Sequence, residues 1–296
     1  MKAGVRKGSR GVEVLVNLHA RLGEGPRWDH RKGLLAWVDI LGGHVHLTDP
    51  ASGVTTSIPV GGEVGALALY GDEGYLLAIR NGFAVLTDTK LGDFQVVFDE
   101  PGLRMNDGSC DPAGRFVAGS MARDARPEMG SLYQRDVDGS VRTLFGGVTI
   151  SNGLAWSADG DLMYYVDSGL QAIDVMDYDL ESGRTSRRRR WVDVPPGDGT
   201  PDGIAIDAED CLWVALWGGG RVRRYSPTGM VIAEIELPVP QVSACGFGGS
   251  DLDRLFITTA AVGRRPDEAA SPLDGALFVA DPGCRGVESI VAGGSA

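Results

Sequence analysis

The chain is expected to be an all-β, six-bladed propeller with a metal site on its central axis. Three observations carry the architecture: a glycine-rich composition, a six-fold repeat of about 43 residues, and near absence of amphipathic helical periodicity. The 296 residues include 44 glycines, about twice the ordinary share of ~7%. They are spread along the chain without a collagen-like period, as many short strands joined by many turns require. With 43% hydrophobic and 23% charged residues, there is ample material for a buried core. One domain spanning residues 1–296 is expected, because all-β folds often exceed 200 residues as single units.

The repeat begins at Gly25, Gly65, Gly108, Gly153, Gly203 and Gly246, with spacings of 40, 43, 45, 50 and 43 residues. In each copy a short strand leads to a polar turn, such as Asp111-Pro-Ala-Gly114, Ser157-Ala-Asp-Gly160 or Asp207-Ala-Glu-Asp210. An apolar strand follows: Leu34 to Val38, Tyr75 to Ile79, Arg115 to Ala118, Leu162 to Val166, Cys211 to Ala215 and Leu255 to Ile257. A further strand ends in a turn such as Asp49-Pro-Ala-Ser-Gly53, Asp179-Leu-Glu-Ser-Gly183 or Ser226-Pro-Thr-Gly229. Alternating β-branched and aromatic residues between Gly, Asp and Pro turns read as strands. Six small antiparallel sheets at this period match propeller blades, whereas a solenoid would leave open edges. Val12 to Val16 precedes the first copy and is expected to pair with segments near Leu277–Ala280 and Ile290–Val291, closing the ring.

Equivalent positions on different blades surround the axis, so the residues before the repeat glycines should converge there. They are Glu24, Val64, Asp107, Asn152, Asp202 and Cys245, with Asn106 one step earlier in the third copy. Asp, Asn and Glu before Gly are also common turn residues that bond the local backbone. Four at one repeat position are harder to explain that way, because a channel packed with unpaired carboxylates is costly. An oxygen-rich set of this kind suits a hard cation such as Ca2+ or Mg2+, and Mn2+ and Zn2+ also accept such ligands.

Composition excludes several functions. A formal net charge of −12 argues against nucleic acid, which needs clustered cations. The one basic run, Arg187 to Arg190, is expected on an exposed outer strand or loop. Cys110, Cys211, Cys245 and Cys284 form no C-x-x-C pair and no zinc spacing, so scattered reduced thiols and a cytoplasmic location are expected. Met1 to Arg10 is basic but no apolar stretch follows, so neither a signal peptide nor a membrane span is expected. All four histidines lie at or before residue 46, which leaves a serine or cysteine triad few partners. His44 and His46 alternate on a strand in surface or packing roles. Gly218-Gly-Gly220 leads into a strand rather than a helix, so it does not signal phosphate binding. Trp213 reads as packing, and Trp217 as either packing or a sugar-facing wall.

At the axial residues the chain resembles the regucalcin and gluconolactonase family, also called the senescence marker protein family. The resemblance rests on Leu22-Gly-Glu-Gly-Pro26, Trp37-Val-Asp-Ile-Leu41, Arg104-Met-Asn-Asp-Gly108 and Asp111-Pro-Ala-Gly-Arg115. It continues through Gly119-Ser-Met121, Gly130-Ser-Leu-Tyr133, Ile150-Ser-Asn-Gly-Leu154, Pro201-Asp-Gly203 and Leu212-Trp-Val-Ala-Leu-Trp-Gly-Gly219, covering about Leu22 to Phe278. It implies one catalytic divalent metal and a small lactone substrate. By position, Glu24, Asn152 and Asp202 match the metal ligands, Arg104, Asn106 and Asp124 match substrate contacts, and Asp202 matches the acid/base. Departures are Met105 where Phe or Pro is usual, Ser120 for Thr, Asp124 where Glu is frequent, and Gly246 where a second Cys sometimes occurs.

The chemistry this implies is hydrolysis of a sugar-derived lactone, its carbonyl polarised by the cation and water deprotonated by Asp202 or supplied as metal-bound hydroxide. Arg104 and Asn106 would hold substrate hydroxyls or the developing oxyanion. Two other readings compete: an organophosphate or aryl-ester hydrolase on the same metal, and a non-catalytic calcium-binding propeller. The Arg104/Asn106 pair beside the ligands favours catalysis, by a monomer or small homo-oligomer.

Overall fold

In the computed structural model, which describes residues 6–7, 11–264 and 269–293, six four-stranded antiparallel units surround one axis. The basic segment Met1 to Arg10 therefore lies largely outside the described residues. Strand β1 (Arg6–Lys7) runs parallel to an outer blade edge, and β2 (Glu13–Asn17) belongs to the last blade. Blade 1 comprises β3 (Gly23–Asp29), β4 (Leu34–Asp39), β5 (His44–Thr48) and β6 (Thr55–Pro59). Blade 2 comprises β7 (Val64–Tyr70), β8 (Gly74–Ile79), β9 (Gly82–Thr87) and β10 (Lys90–Val96). In blade 3 are β11 (Leu103–Cys110), β12 (Phe116–Ala122), β13 (Gly130–Arg135) and β14 (Val141–Val148). Blade 4 holds β15 (Ser151–Trp156), β16 (Leu162–Asp167), β17 (Ala172–Asp179) and β18 (Arg184–Asp193). Blade 5 holds β19 (Thr200–Ile206), β20 (Leu212–Trp217), β21 (Arg221–Tyr225) and β22 (Val231–Glu236). Blade 6 is β23 (Val242–Gly248), β24 (Arg254–Thr259) and β25 (Ala276–Ala280), completed by β2.

The expected ring closure is present in its main part. Glu13 pairs with Val279 and Asn17 with Ala276, so both chain ends contribute to one blade. The expectation for Ile290–Val291 was wrong. Strand β26 (Val291–Ala292) runs parallel to the inner edge of β7, opposite Leu69 and Tyr70. Blade 6 already has four strands, whereas the inner edge of β7 still offers unpaired backbone groups.

Strand alternation places the core between blades. On β12, Phe116 and Ala118 pack towards blade 2, while Val117 between them packs towards blade 4. Six apolar clusters result, each filled by residues of two neighbouring blades. The last joins Trp28, Leu35 and Trp37 of blade 1 to Phe256, Leu277 and Val279 of blade 6. Trp213 packs as expected, buried in the cluster between blades 5 and 6.

Turns between inner and second strands are held by buried carboxylates in alternate blades. Asp111 accepts from the backbone N–H of Ala113 and Arg115, from the Arg115 guanidinium at 2.8 Å, and from the Tyr178 hydroxyl at 2.6 Å. Asp29 is held likewise by Arg31 and Tyr75, and Asp207 by Arg224 and the Trp213 indole. The basic run lies on the exposed outer strand β18, where Arg188 and Arg190 pair with Asp174 and Arg187 and Arg189 with Asp177. His46 is a packing residue, buried against Trp37 with its Nδ1 2.9 Å from the Ser57 hydroxyl.

Candidate functional site

Every inner strand carries a bulge near its start. The register shifts between Glu24 and Arg27, Val64 and Ala66, Met105 and Gly108, Ser151 and Leu154, Pro201 and Ile204, and Val242 and Ala244. A bulge re-aims side chains that would otherwise point between blades. In blades 2, 4 and 5 a glycine within it lets the neighbouring inner strand crowd in at the axis. A Cβ on Gly65 would lie 1.9 Å from the Asn106 carbonyl oxygen, and one on Gly203 would lie 2.5 Å from the Ala244 Cβ.

Register changes the expected ring positions in blades 3 and 6, whereas Glu24 and Val64 are themselves paired at the near side of their shifts, with Val38 and Ile79. In blade 3 the pairs Met105–Ser120 and Gly108–Ala118 flank the bulge, as Pro201–Leu216 and Ile204–Val214 do in blade 5. Asn106, and not Asp107, is thus the counterpart of Asn152 and Asp202. In blade 6 the shift and the Gly203 contact select Ser243, and not Cys245. The glycine pattern misled there because Ala244 takes the place of the repeat glycine, and the nearest Gly is two residues later.

Glu24, Asn106, Asp107, Asn152 and Asp202 are all buried together with Arg104. A directed chain of hydrogen bonds links Arg104, Asn106 and Asn152. Arg104 Nη1 donates to Asn106 Oδ1 at 2.6 Å and to the Met105 carbonyl at 2.9 Å. Asn106 Nδ2 donates to Asn152 Oδ1 and to the Ser151 carbonyl, both at 2.7 Å. Asn152 Nδ2 donates to the Ser168 hydroxyl, which donates to the Pro201 carbonyl, each at 2.7 Å. This direction fixes the amides: turning Asn152 over would set donor against donor at Asn106. Ser243 plays a matching part at blade 1, donating to the Gly23 carbonyl beside Glu24.

Ser168 and Glu63 were missed in the sequence. Ser168 sits on a short 3-10 turn capped by Asp167, outside the repeat position, and carries no motif of its own. Glu63 pairs with Arg123 and lies 3.9 Å from Arg104 Nε. Its only signal is that it precedes the ring position Val64. Asp124 lies outside this buried group, on an exposed turn where it pairs with Arg126 at 2.9 Å. Trp217 is half-buried at the end of β20, its ring packed where a Cβ on Gly263 would fall.

The electrostatics are those of a site short of positive charge. Burial, then the charges of Asp202 and Asp107, push the Glu24 carboxyl well above the usual carboxylate range. Burial and the charge of Asp107 do the same to Asp202, with Arg104 offsetting only part. Asp202 Oδ1 is buried without a hydrogen-bond partner among the described residues. A bare carboxylate oxygen among buried carboxylates is costly unless a cation meets it. The amide oxygen of Asn152 has a second lone pair for the same ion. Carboxylate and amide oxygens suit a hard divalent cation, so these residues fit one. Among the described residues, no group of three or more His, Cys, Asp or Glu is arranged to hold a metal ion by itself.

Comparison with known proteins identifies the family. The family described as SMP-30/Gluconolactonase/LRE-like region matches residues 22–261. The chain belongs to this family. Regucalcin of Xenopus laevis is 39% identical over 277 residues, covering 90% of this chain and 93% of its own. YvrE of Bacillus subtilis (strain 168), provisionally named a sugar lactone lactonase, is 39% identical over 266 residues, 88% of this chain and 91% of its own. A solved structure from Agrobacterium tumefaciens, described as the calcium-binding protein regucalcin, superposes with a TM-score of 0.88 at 31% identity, covering 95% of this chain and 97% of that one. Lactonases of the SMP-30/gluconolactonase type are thus the enzymes this propeller is related to. Among the described residues, no helix is long and apolar enough to cross a membrane.

Proposed function

We propose that the chain hydrolyses a sugar-derived lactone to its aldonic acid, using one divalent metal ion held by Glu24, Asn152 and Asp202. The observation that carries the reading is the buried, unpartnered Asp202 Oδ1 among the carboxylates of Glu24 and Asp107, beside the hydrogen-bonded Arg104–Asn106–Asn152 chain. Ca2+, Zn2+, Mn2+ and Mg2+ are all compatible with such oxygen ligands. When bound, the cation polarises the lactone carbonyl and stabilises charge developing on its oxygen.

The protein's own groups supply the rest. Asp202 takes a proton from the attacking water and returns it to the ring oxygen as the ester C–O bond breaks. Among the described residues Arg104 makes hydrogen bonds only through Nη1, and with Glu63 as far as 3.9 Å from Nε, its Nη2 and Nε can donate to substrate hydroxyls. Asn106 differs from the expectation. Both its N–H groups are engaged, so it positions Asn152 and meets substrate only through its remaining carbonyl lone pair. The reading includes a cytoplasmic location and a monomer or small homo-oligomer; the four free cysteines support the location.

The test is proton release from glucono-δ-lactone and other aldonolactones, each with and without chelator and with each metal restored. Turnover should vanish with chelator and return with metal. Asp202→Asn, loaded to equal metal occupancy, should lose most turnover while keeping its fold. Metal binding without turnover of any lactone, or preferred turnover of aryl esters or organophosphates, would refute the sugar-lactone reading.

A further inference from the structure

The opposite end of the axis holds a cavity of about 320 Å3. Its walls include Leu69, Trp156, Ile206 and Phe247, contributed by inner strands or by the ends of those strands. Its outer side is covered by the C-terminal segment, with Val287 and Ile290 in the lining. That segment is tied at both ends. Gly286 bridges Asp207 of blade 5 and donates to the Leu252 carbonyl of blade 6. Beyond the crossing, Val291 pairs with Leu69 of blade 2, and Gly293 donates to the Gly114 carbonyl of blade 3. The segment is therefore a strap across the channel, away from the residues proposed to hold metal.

Arg27 is the one cation lining this cavity among the described residues. It stands on blade 1, yet its Nη2 donates to the Gly108 carbonyl of blade 3 at 3.1 Å. Blades 1 and 3 are not neighbours, so the guanidinium crosses the channel over the inner edge of blade 2. Its Nη1 donates to the Pro26 carbonyl at 3.2 Å. Among the described residues no carboxylate oxygen lies within 4.0 Å of it. Two carbonyl contacts leave three of its five N–H donors without an acceptor among the described residues. The acidic groups of the same wall are engaged elsewhere: Asp210 accepts from the Ala158 N–H, and Glu288 lies 3.2 Å from His30 Nδ1.

We infer that this strap-covered cavity is a separate binding site for a small carboxylate with an apolar aryl or short alkyl body. The carboxylate would pair with Arg27, and the body would lie against Trp156, Ile206 and Phe247. The volume is at the lower end of small-molecule sites, and apolar walls with one convergent charge are their usual composition. A polyhydroxylated acid would find few acceptors and donors for its hydroxyls there, which distinguishes this ligand class from a sugar acid. The inference is independent of the lactonase reading.

The probe is 4-iodobenzoate, titrated calorimetrically into the full chain with 4-iodobenzyl alcohol as its neutral counterpart. The carboxylate should bind saturably, and the alcohol about tenfold or more weakly. Arg27→Met should reduce carboxylate binding to the level of the alcohol, and Val287→Trp, which fills the cavity, should abolish both. Binding should survive chelator. Iodine anomalous scattering from soaked wild-type crystals should place the ring beneath the strap, and decides the matter if Val287→Trp does not fold. Absence of saturable binding, unchanged affinity in Arg27→Met, or iodine found only at the Glu24–Asp202 end would overturn the inference.

Discussion

Arg104 is buried without a carboxylate in hydrogen-bond contact; Glu63, the nearest paired acid, lies 3.9 Å from Nε. Burial lowers its pKa, and the charges of Glu63 and Glu24 counter that effect. A guanidinium kept there with free donors suits recognition of hydroxyls or a developing oxyanion. Arg104→Ala should therefore lower kcat/KM for a polyhydroxylated lactone by roughly tenfold to a hundredfold, the loss of a charged hydrogen bond. A bare γ-lactone should be affected much less at equal metal occupancy. Asn106 keeps both of its donated bonds in that variant, so metal affinity should change little. Equal loss for both substrates would remove Arg104 from hydroxyl recognition. His46 gives a separate prediction about stability. Burial pushes its pKa down to about 4, from about 6.5 in the unfolded chain. Between those values the unfolded chain binds a proton that the folded one refuses, so stability falls as pH drops from about 6.5 to about 4. The contribution is on the order of 3 kcal/mol. Urea midpoints measured across that range should fall less steeply for His46→Asn than for the parent.

Inner strands are the elements on which the site depends. In blades 4 and 5 the bulge carries one polar residue, Asn152 or Asp202, and the following glycine lets the next blade approach. Gly203 has an ordinary negative backbone φ, so its requirement is space alone. An added Cβ would meet the Ala244 Cα at 2.8 Å and the Ser243 carbonyl oxygen at 3.0 Å, as well as the Ala244 Cβ. Two of these are backbone atoms and cannot rotate away. Gly203→Ala should cost about 1–3 kcal/mol by overpacking and displace Asp202. Lactone turnover should then fall more than the loss of folded protein explains. Gly197→Ala, whose Cβ meets nothing within 4 Å, is the control and should be close to neutral. Denaturant unfolding and turnover of both variants separate the crowding at the axis from a general effect of removing glycine.

For the whole molecule, the decisive joint is between the two chain ends. β2 supplies the fourth strand of blade 6, and its removal would expose the edge of β25 while opening the ring. Deleting residues 1–17 should destabilise the protein on the order of 3 kcal/mol, from lost ladder bonds alone. Because an uncovered edge strand is a template for pairing, the shortened chain should also self-associate. Sedimentation and denaturant unfolding of the two lengths check both outcomes. A monomeric, equally stable truncated protein would mean the ring is held by its inter-blade clusters without the closing strand.

The sequence by itself determined the number of blades, the second strand of each and the closing role of residues 12–16, and it singled out Glu24, Asn152 and Asp202 by their repeat position. These follow from period and alternation, which are local patterns repeated along the chain. Tertiary structure decided what depends on register and on contacts between distant residues. It chose Asn106 over Asp107 and Ser243 over Cys245, since a bulge is defined by pairing with the next strand and not by the nearest glycine. It engaged both donors of Asn106 across 45 and 46 residues of chain, brought in Ser168, and placed Asp124 on an exposed turn. It also sent the C-terminal segment across the axis, because blade 6 was already complete and the inner edge of β7 was open. A two-residue strand has too little pattern to reveal its partner. Only the folded ring presents the unpaired edge that receives it.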